Sequence, residues 1–175
     1  MKRVTMPFMA TILIFSLSCK EEKKSVETSN PEPVMEEQAK EMAVASFNQE
    51  KTNMLFTDYQ NLRKALVATA PDDAKTAAEQ MKMNLDTEEK EISALADEIS
   101  NALDVEAQRE VFSRLTEKVE PKFKETIESG EIYKQFCPMA FEGKGAYWIS
   151  DASEIRNPYF GDKMLTCGKV TETIN

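Results

Sequence analysis

Glycine is absent from the first 129 residues of this 175-residue chain, and all five glycines lie at or after Gly130. Half of the aromatic residues also lie late in the chain, between Tyr133 and Phe160. Glycine weakens helix interiors and supplies the backbone freedom that turns need. From about residue 35 to Gly130 the chain is therefore expected to be helical, and after Gly130 it is expected to be rich in turns and short extended segments.

The first nineteen residues, "MKRVTMPFMATILIFSLSC", carry Lys2 and Arg3 before an apolar run that ends in small residues and Cys19. This pattern is typical of a secretory signal peptide over residues 1–18. The cysteine at its end resembles the lipobox of bacterial lipoproteins, in which that thiol is acylated and becomes the first mature residue. We expect a protein anchored through lipid on Cys19 to the outer membrane of the bacterial cell envelope, on the periplasmic or the surface-exposed side.

The segment 19–34, "CKEEKKSVETSNPEPV", is highly charged, contains two prolines and has few apolar residues. Such a segment cannot bury enough apolar surface to fold, so it is expected to be a disordered tether that follows the lipidated cysteine.

Residues 35–130 have apolar side chains at helical spacing, in four successive stripes. Short polar turns separate the stripes, which predicts an antiparallel four-helix bundle; residues 35–47 could lengthen its first helix. Pro121 lies inside the fourth stripe and is expected to kink or restart that helix. The stripes are Leu55, Tyr59, Leu62 and Leu66; Ala74, Ala77, Met81 and Leu85; Ile92, Leu95, Ile99 and Leu103; and Val111, Phe112, Leu115 and Val119. The expected N-caps of the second, third and fourth helices are Asp72 or Asp73, Asp86 or Thr87, and Asp104.

Residues 131–175 are expected to form a small irregular or β lobe that carries two cysteines. "EIYKQF" and "AYWIS" favour short strands, whereas "FEGKG", "SDAS" and "NPYFGD" are typical of turns. A lobe of this size cannot supply its own core, so its aromatic residues should pack on the bundle and make residues 35–175 one domain.

Composition excludes several classes of function. The chain has no histidine, which removes the usual general base and the usual zinc ligands, and no glycine-rich phosphate loop precedes a helix. We therefore expect a protein that is not an enzyme. Its net charge of −9 would repel phosphate backbones, so nucleic acid is not an expected partner.

Sulfur is the remaining chemistry. Cys137 and Met139 are two residues apart, which suits one face of an extended strand, and Met164 and Cys167 are three apart, which suits a helical or 3₁₀ turn. These four sulfurs are candidate ligands for Cu(I) or another soft ion. The alternative is a Cys137–Cys167 disulfide that closes a loop of about thirty residues and stabilises the lobe by roughly 3 to 4 kcal/mol.

Five segments, "YQNLRKALV", "QREVFSRLTE", "CPMA", "GAYWIS" and "IRNPYFGDKMLTCGKV", resemble a bacterial envelope domain of unknown function over about residues 50–175. That domain occurs as stand-alone lipoproteins and at the C-terminus of heavy-metal efflux adaptor proteins. Its association with copper and silver export implies a soft-metal role for the four sulfur residues. The resemblance also implies that a turn shapes the site, formed by Asn157, Pro158, Tyr159, Phe160 and Gly161.

The sequence thus predicts a lipid-anchored envelope protein that binds Cu(I) or a similar ion for buffering or delivery linked to efflux, with the membrane and a heavy-metal efflux adaptor as candidate partners. The alternative is an interaction module that binds no metal and whose lobe is held by the Cys137–Cys167 disulfide.

Overall fold

The computed structural model describes residues 44–175, and these belong to one compact unit. It is mainly helical, with a small sheet near the C-terminus. The predictions for the signal peptide, Cys19, the tether and residues 35–43 lie outside the described residues. The elements are β1 Ser46–Phe47, α1 Glu50–Val67, α2 Pro71–Asn84, α3 Lys90–Asn101, α4 Val105–Thr126, β2 Ile127–Ser129, β3 Ile132–Cys137, α5 Ala140–Gly143, β4 Ala146–Ser150, a 3₁₀ turn Gly161–Lys163, and β5 Lys169–Ile174.

Helices α1 to α4 correspond to the four predicted stripes. Each of them packs against the next in the chain, and α4 also contacts α1. Most stripe residues are buried in one shared core; Ala77, Leu85 and Leu95 are partly buried against it. The exception is Leu103, which is 99% exposed because α3 ends at Asn101 and leaves Leu103 in the turn.

Helix α2 begins earlier than its predicted caps. Its N-cap is Ala70, and Pro71 occupies the first helical turn together with Asp72 and Asp73. Proline is suited to this position because the first N–H groups of a helix have no partner within it. The prediction that one of the aspartates caps α2 is wrong; their carboxylates lie beside the positive end of the helix dipole instead.

The N-terminus of α3 also differs from the prediction, whereas that of α4 agrees with it. The N-cap of α3 is Glu89, and no side chain caps the helix. Asp86, one of the two expected caps, accepts a 2.9 Å hydrogen bond from the N–H of Glu88 in the preceding turn. The cap at Asp104 is confirmed, since its carboxylate accepts a 2.8 Å hydrogen bond from the N–H of Ala107.

Two further features of the helices differ from the prediction. Helix α4 continues through Pro121 to Thr126, so it does not restart at the proline. Pro121 is exposed, and the carbonyl of Glu117, which lacks its usual helical partner, is on the solvent side where water can bind it. Ser46–Phe47 do not extend α1 either; they form strand β1, which pairs with β2.

Strands β4, β3 and β5 form an antiparallel sheet in that order, with β3 in the centre. The predicted extended segments "EIYKQF" and "AYWIS" correspond to β3 and β4, so that prediction is confirmed. Strand β5 was not expected from the sequence. Its residues are exposed except for Ile174, so its sequence lacks the apolar alternation of a half-buried strand.

The sheet is attached to α1 by hydrogen bonds to β4. The hydroxyl of Tyr59 accepts a 3.1 Å bond from the N–H of Ile149, and the amide of Gln60 donates a 3.2 Å bond to the carbonyl of the same residue. The hydroxyls of Tyr59 and Thr116 are 2.8 Å apart, which links α4 to the same point. The outer edge of β4 is thus covered by helix side chains. Within residues 44–175, no helix is long and apolar enough to cross a membrane.

Candidate functional site

The two cysteines of the C-terminal region lie side by side. The Sγ atoms of Cys137 and Cys167 are 3.5 Å apart, and both thiols are free. Cys137 is fully buried, whereas Cys167 is partly exposed. The fold therefore brings together two thiols that are separated by thirty residues in sequence.

Sheet register explains why the thiols meet. Cys137 is the last residue of the central strand β3, and Phe136 pairs with Lys169 at the start of β5. Continuing this antiparallel register by one residue places Cys137 opposite Gly168, beside Cys167. At Gly168 a Cβ atom would lie 2.9 Å from the Trp148 ring and 3.0 Å from the carbonyl oxygen of Phe136, so only glycine fits this close approach.

Asn157 holds the backbone of Cys167 in place. Its side-chain N–H donates a 2.7 Å hydrogen bond to the carbonyl of Cys167, and its Oδ1 accepts a 2.8 Å bond from the N–H of Tyr159. The N–H of Cys167 donates a 3.0 Å bond to the carbonyl of Met164. Both backbone polar groups of Cys167 are thus fixed. The bond to Met164 closes a turn from Met164 to Cys167.

The turn that follows Asn157 is fastened to the helices. The carbonyl of Pro158 accepts a 2.8 Å hydrogen bond from buried Arg109 of α4. At Gly161, whose φ is +55°, a Cβ would lie 2.8 Å from the carbonyl of Val67 and would also contact Thr69. Phe160 is half-buried against the core. The turn from Asn157 to Gly161 is therefore fixed relative to the helices, and its Asn157 in turn fixes the backbone of Cys167.

Tyr159 forms the aromatic centre behind the site. Its ring lies against Phe112, Phe141 and Trp148, and its hydroxyl donates to the carbonyl of Tyr147. Burial raises the pKa of this hydroxyl well above its ordinary value. Tyr159 is therefore a neutral packing residue at any physiological pH, and we assign it no proton-transfer role.

The two predicted methionine ligands lie at the surface. Met139 is in the turn that follows Cys137, and Met164 is in the turn that precedes Cys167. Met139 is 53% exposed and Met164 is 37% exposed. Cys137 ends its strand, and Met139 has helical φ and ψ angles in the turn that follows, so the expectation that one extended strand aligns these two side chains is wrong. The thioethers are exposed neighbours of the thiols in sequence rather than buried core residues.

Two buried polar atoms beside the site have no partner. Gln135 and Trp148 lie opposite each other on β3 and β4, on the same sheet face as Cys137. The Gln135 side-chain N–H bonds to carbonyls of residues 152–154, which leaves its Oε1 without a donor, and the Trp148 Nε1–H lacks an acceptor. The sequence could have indicated that Gln135 is buried, because it lies on the same alternating face of β3 as Cys137. Nothing in the sequence indicated that the Trp148 indole would lack an acceptor.

The environment of Cys167 favours the neutral form of its thiol. Burial and the hydrogen bond with Cys137 raise the pKa of the Cys167 thiol. Among residues 44–175, no group of three or more cysteine, aspartate or glutamate side chains is arranged to hold a metal ion. A metal ion at the two thiols would therefore complete its shell with other donors, and soft ions prefer sulfur among these.

Sequence reasoning missed Arg109, which joins three parts of the chain. Besides Pro158, its guanidinium donates 3.1 Å hydrogen bonds to the carbonyl of Leu66 and the hydroxyl of Thr69, and it pairs with Glu106 at 2.8 Å. A signal was present, because Arg109 lies three residues before Phe112, in register with the apolar stripe of α4.

Comparison with known proteins gives one family. Residues 55–130 match the model of a protein family of unknown function, DUF3347. This segment covers most of α1, all of α2 to α4, and β2; it ends before β3, so both cysteines lie outside it. No curated protein and no solved structure matches the chain. The chain is thus similar to a domain of unknown function over residues 55–130.

Proposed function

We propose that this protein is a lipid-anchored envelope protein that binds Cu(I), or another soft metal ion, through Cys137 and Cys167, for buffering or delivery of the metal. The observation that carries the proposal is the pair of free thiols 3.5 Å apart. Two thiolates bound at about 2.3 Å to one tetrahedral metal ion are separated by about 3.8 Å, so the pair needs little adjustment to share an ion.

The chemistry of the donors selects the kind of metal. Thiolate and thioether ligands prefer Cu(I) to magnesium, calcium or manganese, which prefer oxygen. Met139 and Met164 are the proposed additional ligands, since each is exposed in a turn that adjoins one of the cysteines in sequence. Bound Cu(I) would supply no catalytic chemistry in this proposal; the chain is a carrier rather than an enzyme.

The scaffold has a mechanical role in this proposal. Helices α1 to α4 pack against one another, and in this proposal they form an antiparallel four-helix bundle that supports the sheet and the Asn157–Gly161 turn. Rigid support limits how far the two sulfurs can separate, which favours metal binding because less conformational entropy is lost.

The remaining parts of the proposal come from the N-terminal sequence and the resemblance. The lipid on Cys19 would hold the protein at the outer membrane, and a heavy-metal efflux adaptor is the proposed protein partner. Replacing Cys19 by Ala should leave export intact and abolish acylation. Equal incorporation of labelled fatty acid into the wild-type and variant proteins would contradict the proposed anchor.

Metal binding can be tested with residues 19–175 carrying Cys19→Ser, which retain the whole compact unit, residues 40–175. The reduced protein should take about one Cu(I) from a chromophoric chelator. Cys137→Ser and Cys167→Ser should each abolish tight binding, because each removes a charged ligand. Met139→Leu and Met164→Leu should weaken binding less, and Met83→Leu, at an exposed position on α2, is the matched control.

The alternative is a structural disulfide between Cys137 and Cys167 in a protein that binds no metal. It is also compatible with the 3.5 Å separation of the sulfurs. Under this alternative the cysteine variants should lower the thermal stability of the oxidised protein, and the methionine variants should have little effect. Failure of the reduced protein to take Cu(I) from even a weak chelator would favour the disulfide.

A further inference from the structure

The two thiols differ sharply in access. Cys137 has no exposed surface; it lies on the central strand, directly opposite Ala146, which is 3% exposed. Cys167 is partly exposed and precedes the edge strand β5. A reagent in solution can therefore reach the sulfur of Cys167 but not that of Cys137 while the protein is folded.

We propose that Cys137 and Cys167 form an exchangeable dithiol–disulfide pair in which Cys167 is the entry thiol, modified first by a disulfide from outside, and Cys137 is the resolving thiol. Thiol exchange at this pair requires no metal ion, so it can occur and be tested whether or not the protein binds copper. The co-reactant is a small or protein disulfide, written here as X–S–S–X.

The exchange proceeds in two balanced steps. The Cys167 thiol loses its proton to solvent, and the thiolate attacks one sulfur of X–S–S–X. The S–S bond of the reagent breaks and one X–S⁻ leaves, which gives a mixed disulfide on Cys167. The Cys137 thiolate then attacks the Cys167 sulfur and expels the second X–S⁻. The protein loses two electrons and two protons, and X–S–S–X is reduced to two thiols.

The geometry suits the second step. The Cys137 sulfur already lies 3.5 Å from the Cys167 sulfur, so closing the bond to about 2.05 Å requires a movement of about 1.5 Å. Side-chain rotation can supply part of this movement. The backbone of Cys167 is held at both its N–H and its carbonyl, by Met164 and Asn157, so the entry thiol can move relative to the resolving thiol mainly by rotation of its side chain.

Reduction by a thiol would follow the same path in reverse. An incoming thiolate would attack the exposed Cys167 sulfur and release Cys137 as the leaving thiolate, while direct attack at buried Cys137 is sterically blocked. Because the disulfide consumes both thiolates, the oxidised protein would have no thiolate ligands. The redox state of the pair would thus set whether the proposed metal site exists.

The proposal can be tested on residues 19–175 with Cys19→Ser, in the absence of metal, with oxidised glutathione as the disulfide and intact-mass spectrometry as the readout. In the Cys137→Ser variant, a stable glutathione adduct should accumulate on Cys167. In the Cys167→Ser variant, Cys137 should react at least about tenfold more slowly. The protein with both cysteines should proceed to an internal disulfide and release two equivalents of reduced glutathione.

Misfolding of a variant is controlled by repeating both reactions in urea. There the two thiols should react at rates within about twofold of each other, because only the fold distinguishes them. A variant that shows this same rate with and without urea is unfolded, and Cys137→Ala or Cys167→Ala then replaces it. Equal or faster reaction of Cys137 in folded protein, or a wild-type reaction that stops at the adduct, would overturn the proposal.

Discussion

The side-chain N–H of Asn157 lies 2.7 Å from the carbonyl oxygen of Cys167, and this bond ties the second cysteine to a turn that is itself held by helix α4. Asn157 is fully buried, whereas Cys167 is partly exposed, so the contact is shielded from water on the Asn157 side. The placement of the thiol pair therefore depends on a neutral amide that has no chemistry of its own.

Replacement of Asn157 by Ala should lower the free energy of unfolding by about 1–3 kcal/mol, because the carbonyl of Cys167 loses its donor and the buried N–H of Tyr159 loses its acceptor. The same change should reduce the affinity for Cu(I), since Cys167 gains freedom. Urea unfolding and chelator competition measure the two effects. Asn61→Ala, at an exposed position of α1, is the control and should change neither quantity appreciably. Unchanged stability and affinity in Asn157→Ala would contradict the positioning role of the amide.

Replacement of Arg109 by Met should destabilise the protein by about 3 kcal/mol, because the buried carbonyls of Leu66 and Pro158 lose their donor together. Arg114→Met on the same helix is the matched control. Arg114 pairs with Glu98 at the surface, and an exposed pair of this kind contributes at most about 1 kcal/mol. Thermal and urea unfolding of both variants measure the difference; similar losses would contradict the assigned role of Arg109.

Stability should fall at alkaline pH through Tyr59. Burial raises the pKa of its hydroxyl to about 12 in the folded protein, whereas the unfolded chain has the ordinary value of about 10. The folded state thus keeps a proton that the unfolded state loses first. This contribution is fully present below pH 10 and is lost as the pH rises through about 12.

The variant Tyr59→Phe isolates that contribution. It should be less stable than the wild type at pH 8, because the hydroxyl bonds to Thr116 and Ile149 are lost. Between pH 10 and 12, however, its free energy of unfolding should decline less steeply. Urea midpoints at several pH values measure both slopes, and equal slopes would contradict the raised pKa of Tyr59.

Periodicity was sufficient to predict the helices and two of the three main strands, because their apolar residues repeat at the spacing that burial requires. It failed where burial is absent. Strand β5 is exposed along most of its length, so it lacks the alternation of apolar residues that marks a half-buried strand. Leu103 is apolar and fits the stripe of α3, but it lies exposed in a turn. The predicted caps of α2 and α3 are wrong because several acidic residues lie near each helix start and any of them could serve as the cap. In α2 the helix begins at Pro71, whose fixed backbone suits the first helical position.

The candidate site was only partly predictable. The sequence singles out four sulfur residues as candidate ligands, but the meeting of Cys137 and Cys167 depends on the pairing of β3 with β5, and β5 has no clear sequence signal. The hydrogen bonds from Asn157 to Cys167 and from Arg109 to Leu66 and Pro158 join polar side chains to residues that are ten or more positions away in the sequence. Spacing along the chain carries no information about such contacts.

X-ray absorption at the copper edge tests the central claim most directly. The sample is reduced protein, residues 19–175 with Cys19→Ser, loaded with one equivalent of Cu(I). The proposed site predicts a coordination shell made of sulfur, with two thiolates from Cys137 and Cys167 and at least one thioether. Met139→Leu combined with Met164→Leu should lower the number of sulfur neighbours and retain both thiolates. A shell of nitrogen or oxygen atoms, or a spectrum unchanged by Cys137→Ser and Cys167→Ser, would contradict the proposed metal site.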